Sequence, residues 1–195
     1  MDFSYLDDWI EEEAGAPEVE GIGEGYRHIF VVVENEGGEV APSSLEAMGQ
    51  ARYLADQIGV YVFAVLGGEG IEEVGEALIA YGADRVLVVS EASLSAPAYQ
   101  PEVCVKVLAD LVDRYRPEIL LLAATPLGAD LAPRLAQRLE TGLISHCLRL
   151  EMDMAERLLL GTFAVLGGEV YHTVACPEAR PQMATLVPGY FGAPY

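Results

Sequence analysis

EILLLAATPLGADLAPRLAQRLE, residues 118–140, sets an apolar run, a short polar turn and an amphipathic segment in direct succession. The run 118–124 reads as a strand buried on both faces, because no polar residue alternates through it. The Gly128-Ala129-Asp130 turn opens a helix that runs to Glu140, with Pro133 in its first turns and Thr141-Gly142 closing it. Upstream the same unit recurs three times. HIFVVVE (28–34), VYVFAVLG (60–67) and RVLVVS (85–90) are strand-like. Helical spacing follows each of them, over about 42–59, 71–81 and 100–115. Tyr81-Gly82 is a helix-stop signal, and Arg116-Pro117 stops the third helix. Strand and helix alternating four times predict an α/β fold: a parallel sheet with helices on both faces. After Ser145 the pattern changes to HCLRLEMD, RLLLGTFAV and EVYHTVAC, with another short strand over 182–187. These predict antiparallel or mixed C-terminal strands that extend the sheet.

Two parts are expected, an acidic N-terminal extension over 1–25 and an α/β domain over 26–195. The extension carries nine acids and no base, within a chain of 31 acids, 11 bases and net charge −20. Phe3, Leu6, Trp9 and Ile10 fall at helical spacing and predict a short amphipathic helix. Gly21–Gly25, GIGEG, imitates a dinucleotide loop, but a strand follows it instead of preceding it, so it reads as a linker. The charge excludes nucleic acid as a partner, since phosphate contacts need a basic face. Apolar runs fall short of the ~20 residues of a membrane span, which excludes membrane insertion. The start is acidic where a secretory signal is basic, so the expected location is the cytoplasm.

Chemistry-bearing motifs are few. A P-loop would read GxxxxGK[ST], and the turn after the fourth strand, Ala124 through Gly128, offers one glycine where a phosphate cradle needs several. His28, His146 and His172 lie far apart, and their spacing pairs none with a nucleophile. Cys104, Cys147 and Cys176 form no CxxC, so a zinc or iron–sulfur site is unsupported and each reads as a small buried hydrophobe. The Ser-rich segment 91–95 sits at the sheet end where ligands bind in such folds, yet reads first as a polar loop. Asp130 and Arg134, four apart, predict a helix-surface ion pair. Catalytic and metal-binding residues are therefore expected to be none.

Five motifs in fixed order carry more. They are Val31-Val32-Val33-Glu34; Ala51-Arg52-Tyr53-Leu54-Ala55; Tyr81-Gly82-Ala83-Asp84; the pattern GxDLAPRxAxxLxTGL from Gly128 to Leu143; and Pro181-Gln182-Met183-Ala184-Thr185 with Pro188-Gly189. Over residues 28–191 the chain resembles the N-terminal domain of electron transfer flavoprotein alpha subunits. The resemblance implies an adenine nucleotide alpha hydrolase-like sheet and a scaffold and docking role without an active site of its own. It implies a beta subunit as partner and electron transfer from flavin-dependent dehydrogenases through the complex. It also implies FAD held by a second domain of the complete alpha/beta complex, with none bound to this chain alone, because the chain stops at Tyr195. Ala129 stands where the family usually has Arg. The other function class is a free-standing nucleotide-binding or stress-type α/β domain, against which the missing phosphate loop weighs.

The candidate subunit interface comprises Thr141, Gly142 and Leu143, which end a helix, and Pro181, Gln182 and Met183, which enter a late strand. Small, proline and flexible apolar residues suit close packing. The competing reading packs these segments on each other within the domain. Trp9, Phe3 and Leu6 of the extension are a weaker candidate, as an apolar stripe that needs cover.

Overall fold

The computed structural model describes residues 10–12, 25–68, 72–89, 94 and 98–193. In chain order the elements are β1 (Ile10–Glu12), β2 (Ile29–Val33), β3 (Asn35–Glu36), β4 (Glu39–Val40), α1 (Pro42–Ile58) and β5 (Val62–Gly67). There follow α2 (Glu72–Ala80), β6 (Arg85–Val89), α3 (Pro101–Tyr115), β7 (Ile119–Ala123), α4 (Pro126–Arg138) and β8 (Leu143–Cys147). The chain then runs through β9 (Arg149–Asp153), β10 (Leu158–Val165), a 3-10 turn (Leu166–Gly168), β11 (Val170–Val174) and β12 (Gln182–Leu186).

The main sheet has the order β1-β6-β5-β2-β7-β12-β8. Six of its strands are parallel, and β1 alone runs antiparallel, on β6. Side chains of a strand alternate between faces, so β2 feeds two cores. Val31 and Val33 pack with Met48 and Leu54 of α1 and Leu78 of α2. Phe30 and Val32 pack with Leu108 and Leu111 of α3 and Leu131 and Leu135 of α4. Helices therefore cover both faces, as the continuous apolar runs require.

The C-terminal third divides. β8 and β12 extend the parallel sheet, and β9–β10–β11 form an antiparallel sheet of their own. The segment read as one strand from His146 breaks at Leu148, and β8 begins three residues earlier, at Leu143. The antiparallel sheet lies on the α1 side of the domain: Leu150, Met152 and Leu159 join that core. Gln50 Nε2 of α1 donates to Leu150 O at 3.0 Å.

Helix α4 starts two residues before the expected position. Thr125 is its N-cap, accepting from Gly128 N at 3.0 Å, and Pro126 fits the first turn because its missing N–H would have no helical partner. This earlier start puts Pro133 mid-helix. The helix closes at Arg138, and the backbone turns away through Glu140 at φ 52°. The helix expected over Phe3 to Ile10 lies outside the described residues save for its last position. Ile10 is not helical: it pairs with Val89, because the open edge of β6 offers backbone partners that a short isolated helix cannot match. The linker 21–24 also lies outside the described residues.

Candidate functional site

Chain order reverses between β2 and β7, since β5 and β6 lie on one side of β2 and β7 on the other. In such sheets the crevice beyond the strand C-termini at that point is where ligands bind. Glu34 follows β2 and Thr125 follows β7, and Thr125 Oγ1 donates to Glu34 Oε1 at 2.5 Å. The same hydroxyl accepts from Gly128 N, so the N-cap is filled from both sides. Ser44 Oγ accepts from Glu34 N at 2.9 Å. Burial raises the Glu34 carboxyl above its ordinary pKa, while the Thr125 hydrogen bond opposes that rise. An incoming phosphate would meet a carboxylate and an occupied helix cap. These residues do not fit the diphosphate of a flavin or of any other dinucleotide. The Ser-rich segment 91–95 lies outside the described residues apart from Leu94, which is buried.

At the opposite end of the sheet lies a second polar cluster. Glu118 is buried at the start of β7 and takes a bidentate bridge from Arg157, at 2.7 and 2.9 Å. Arg157 sits in the turn between β9 and β10, so the bridge ties the antiparallel sheet to the parallel one. His28 precedes β2 with φ 70° and stacks against Phe63 and Tyr61. Its Nδ1 accepts from Tyr61 N at 3.2 Å. That contact needs a neutral ring. Burial, followed by the charge of Arg27, lowers the His28 pKa below 6.5; Arg85 adds to the lowering, while the carboxylates of Asp84 and Glu118 oppose it. A depressed histidine contributes stability that is full above the unfolded value and lost as pH falls toward the folded one. His28→Asn keeps a short acceptor and tolerates the positive φ. It is expected to flatten the loss of stability below about pH 6.5, measured by urea denaturation at stepped pH. Equal slopes for parent and variant would discard this role.

The remaining motif residues are structural fasteners. Asp84 Oδ2 accepts from Val62 N at 2.7 Å and from Arg52 Nη1 at 2.7 Å, joining two motif segments to the start of β5. Glu46 accepts from Gly189 N, at 2.7 Å to one carboxylate oxygen, which explains the Pro188-Gly189 turn. Thr185 Oγ1 accepts from His146 N at 2.9 Å. Asp130 and Arg134 do pair, at 2.9 Å, and Ala129 is exposed. The three histidines lie on separate strands or strand ends. The Cys147 thiol is pushed up to about 12 by burial, which keeps it protonated. Among the described residues no group of three His, Cys, Asp or Glu could hold a metal ion, and no helix is long and apolar enough to cross a membrane.

The candidate interface residues separate into two sets. Gln182 and Met183 are 1% and 0% exposed, and Pro181 is buried with them. Gln182 Oε1 accepts from Leu159 N at 2.8 Å, and its Nε2 donates to Arg157 O at 3.3 Å. Their side chains are committed inside the domain, because β12 is an interior strand between β7 and β8. Thr141, Gly142 and Leu143 remain half-exposed. Thr141 Oγ1 donates to Pro181 O at 2.8 Å, and a Cβ on Gly142 would stand 2.5 Å from Cys176 Sγ. The two segments thus do pack on each other, leaving only the first with surface to offer. Sequence reading passed over Gln182 as a fastener and Glu34 as a cap ligand; their place in ordered motifs was the available signal.

The fold is a doubly wound α/β domain in which Glu34 and Thr125 hydrogen-bond to each other at the strand C-termini of the switch point. The electron transfer flavoprotein domain family matches residues 29–195, and the chain belongs to that family. It is 40% identical over 166 residues to the electron transfer flavoprotein subunit alpha of Clostridium acetobutylicum, covering 85% of this chain and 49% of the relative. Identity to the protein FixB of Bradyrhizobium diazoefficiens is 45% over 166 residues, covering 84% and 44%. Identity to the acryloyl-CoA reductase electron transfer subunit beta of Anaerotignum propionicum is 34% over 186 residues, covering 84% and 50%. The chain spans about half the length of these curated relatives.

Proposed function

We propose that this chain is the scaffold and docking domain of an electron transfer flavoprotein alpha subunit, one half of a base on which a flavin-holding domain rides. Its role is to support electron passage from flavin-dependent dehydrogenases through FAD that the chain does not itself hold. The partner is the beta subunit, and the working location is the cytoplasm. The observation that carries this reading is the filled switch point. Glu34 and Thr125 hydrogen-bond to each other at the switch point where doubly wound sheets bind ligands, in a family whose chemistry depends on a flavin nucleotide. The domain therefore contributes form and surface, as an electron-carrier component without catalytic residues. Thr141, Gly142 and Leu143 are the part of the candidate interface that keeps exposed surface for the partner.

The purified chain is expected to be colourless and to remain so after incubation with FAD and gel filtration. Flavin absorbance that co-elutes with the chain would overturn the reading. A spectral or calorimetric response to ATP or AMP would instead favour the free-standing nucleotide-binding domain.

A further inference from the structure

We propose that the arginines gathered at the strand-start end of the main sheet form a docking surface for acidic polypeptide, and that its occupant is the chain's own acidic extension, residues 1–25. The inference is independent of the flavoprotein reading, because the family match begins at residue 29. The six parallel strands all start at this end. Arg27 stands just before β2, Arg85 opens β6, Arg114 lies in the last turn of α3 and Arg116 follows that helix. Arg27 N donates to Arg116 O at 2.9 Å, so these two exposed side chains leave neighbouring backbone. The Arg85 guanidinium lies 5.5 Å from the centre of the Phe63 ring, and that of Arg114 lies 5.4 Å from the centre of the Tyr115 ring. Phe63 and Tyr115 meet edge to face with centroids 6.1 Å apart, and Phe63 stacks on His28. One aromatic cluster thus gathers four of the chain's 11 bases.

Charge here runs against the rest of a chain whose net is −20. Asp84 and Glu118, the carboxylates whose charge reaches His28, are each bound by another arginine, Arg52 and Arg157. The extension supplies the complement, nine acids and no base. Two flanking anchors are in place. β1 runs antiparallel to β6 and so heads for the strand-start end, with Ile10 opposite Val89 and Glu12 opposite Leu87, two residues from Arg85. The body begins at Gly25 and Tyr26, directly before Arg27. Only β5 separates β6 from β2, so the anchors stand ~10 Å apart across the sheet. They hold the acids of the extension, Glu13, Glu18, Glu20 and Glu24 among them, at high local concentration beside the arginines. A separate acidic protein lacks this tether, and a second copy would bring its own −20 to a surface already supplied from within.

Trp9, the chain's one tryptophan, lies in the extension and reports on it. The test is acrylamide quenching of the full chain, with circular dichroism to confirm folding. Raising the ionic strength from about 0.01 M to about 1 M shortens the screening length from ~30 to ~3 Å and is expected to raise the parent's quenching constant about twofold. Arg27→Gln with Arg116→Gln, at exposed positions whose mutual contact is made by backbone, is expected to show that higher constant already at low salt. Arg134→Gln with Arg138→Gln removes the same charge from α4 and should quench as the parent does. Equal low-salt quenching of the parent and the Arg27 and Arg116 double variant overturns the proposal, leaving β1 pairing as what holds the extension. So does an α4 variant quenched as strongly as that double variant, since net charge alone would then explain the effect. A parent Trp9 as accessible as in a free peptide of residues 1–25 overturns it as well. Quenching that falls as protein concentration rises, together with a dimeric mass, gives the surface to the extension of a second copy and overturns the proposed occupant.

Discussion

Met183→Asp is expected to prevent folding, well before any subunit contact is tested. Met183 is 0% exposed in β12, in register with Leu120 of β7 on one side and Leu143 of β8 on the other. It packs in the core that holds Phe30, Leu131 and Leu135. A carboxylate there would have no cation within that core and no water. Leaving a charge buried and unpaired costs several kcal/mol, against a total stability of about 5–15 kcal/mol for a domain. The lost thioether adds ~2–5 kcal/mol of cavity and transfer cost of its own. Soluble yield, far-ultraviolet circular dichroism and a urea midpoint measure the outcome. Met183→Leu, which nearly conserves volume, should stay within ~1.5 kcal/mol of the parent. A folded Met183→Asp protein with the parent's midpoint would mean that β12 is not an interior strand.

That the same residue suggested a surface contact in the sequence marks the boundary of what local pattern records. The four strands of the first half were legible because burial on both faces writes a continuous apolar run into each of them. β12 carries Gln182 and Thr185 among its five residues, so it reads as a short, mixed segment. Its place between β7 and β8 depends on pairing partners some 40 and 60 residues away in the sequence. Leu143 reads as the close of the preceding helix for the same reason. Ile10 shows the converse: a helical spacing overridden by an open sheet edge. At the site, Glu34 needs Thr125, 91 residues away, and of the two only Glu34 falls within an ordered family motif.

Gly128→Ala is expected to cost at least about 2 kcal/mol, a large loss for one methyl group on a helix. Alanine ordinarily favours a helix interior by about 1 kcal/mol over glycine, so propensity alone predicts a gain. Position decides the sign. A Cβ at Gly128 would stand 1.9 Å from Ala123 O and 3.1 Å from Ala123 C, and both belong to the backbone of β7. A backbone in the middle of a paired sheet cannot yield as a side-chain tip does. The first turn of α4 must therefore lift away from the strand. Lifting it stretches the Gly128 N–H contact to Thr125 Oγ1, which also carries the hydrogen bond to Glu34. The cap and the carboxylate would loosen together, at the place where the chain fills its own ligand-binding end. Ala129→Gly, one residue on and exposed, provides the contrast: it should lose only the ordinary ~1 kcal/mol of helix propensity. Paired urea titrations of the two variants separate the accounts. A Gly128→Ala protein as stable as the parent would show that the close approach of α4 to β7 is not required, and with it that glycine at the head of this motif is not there for packing.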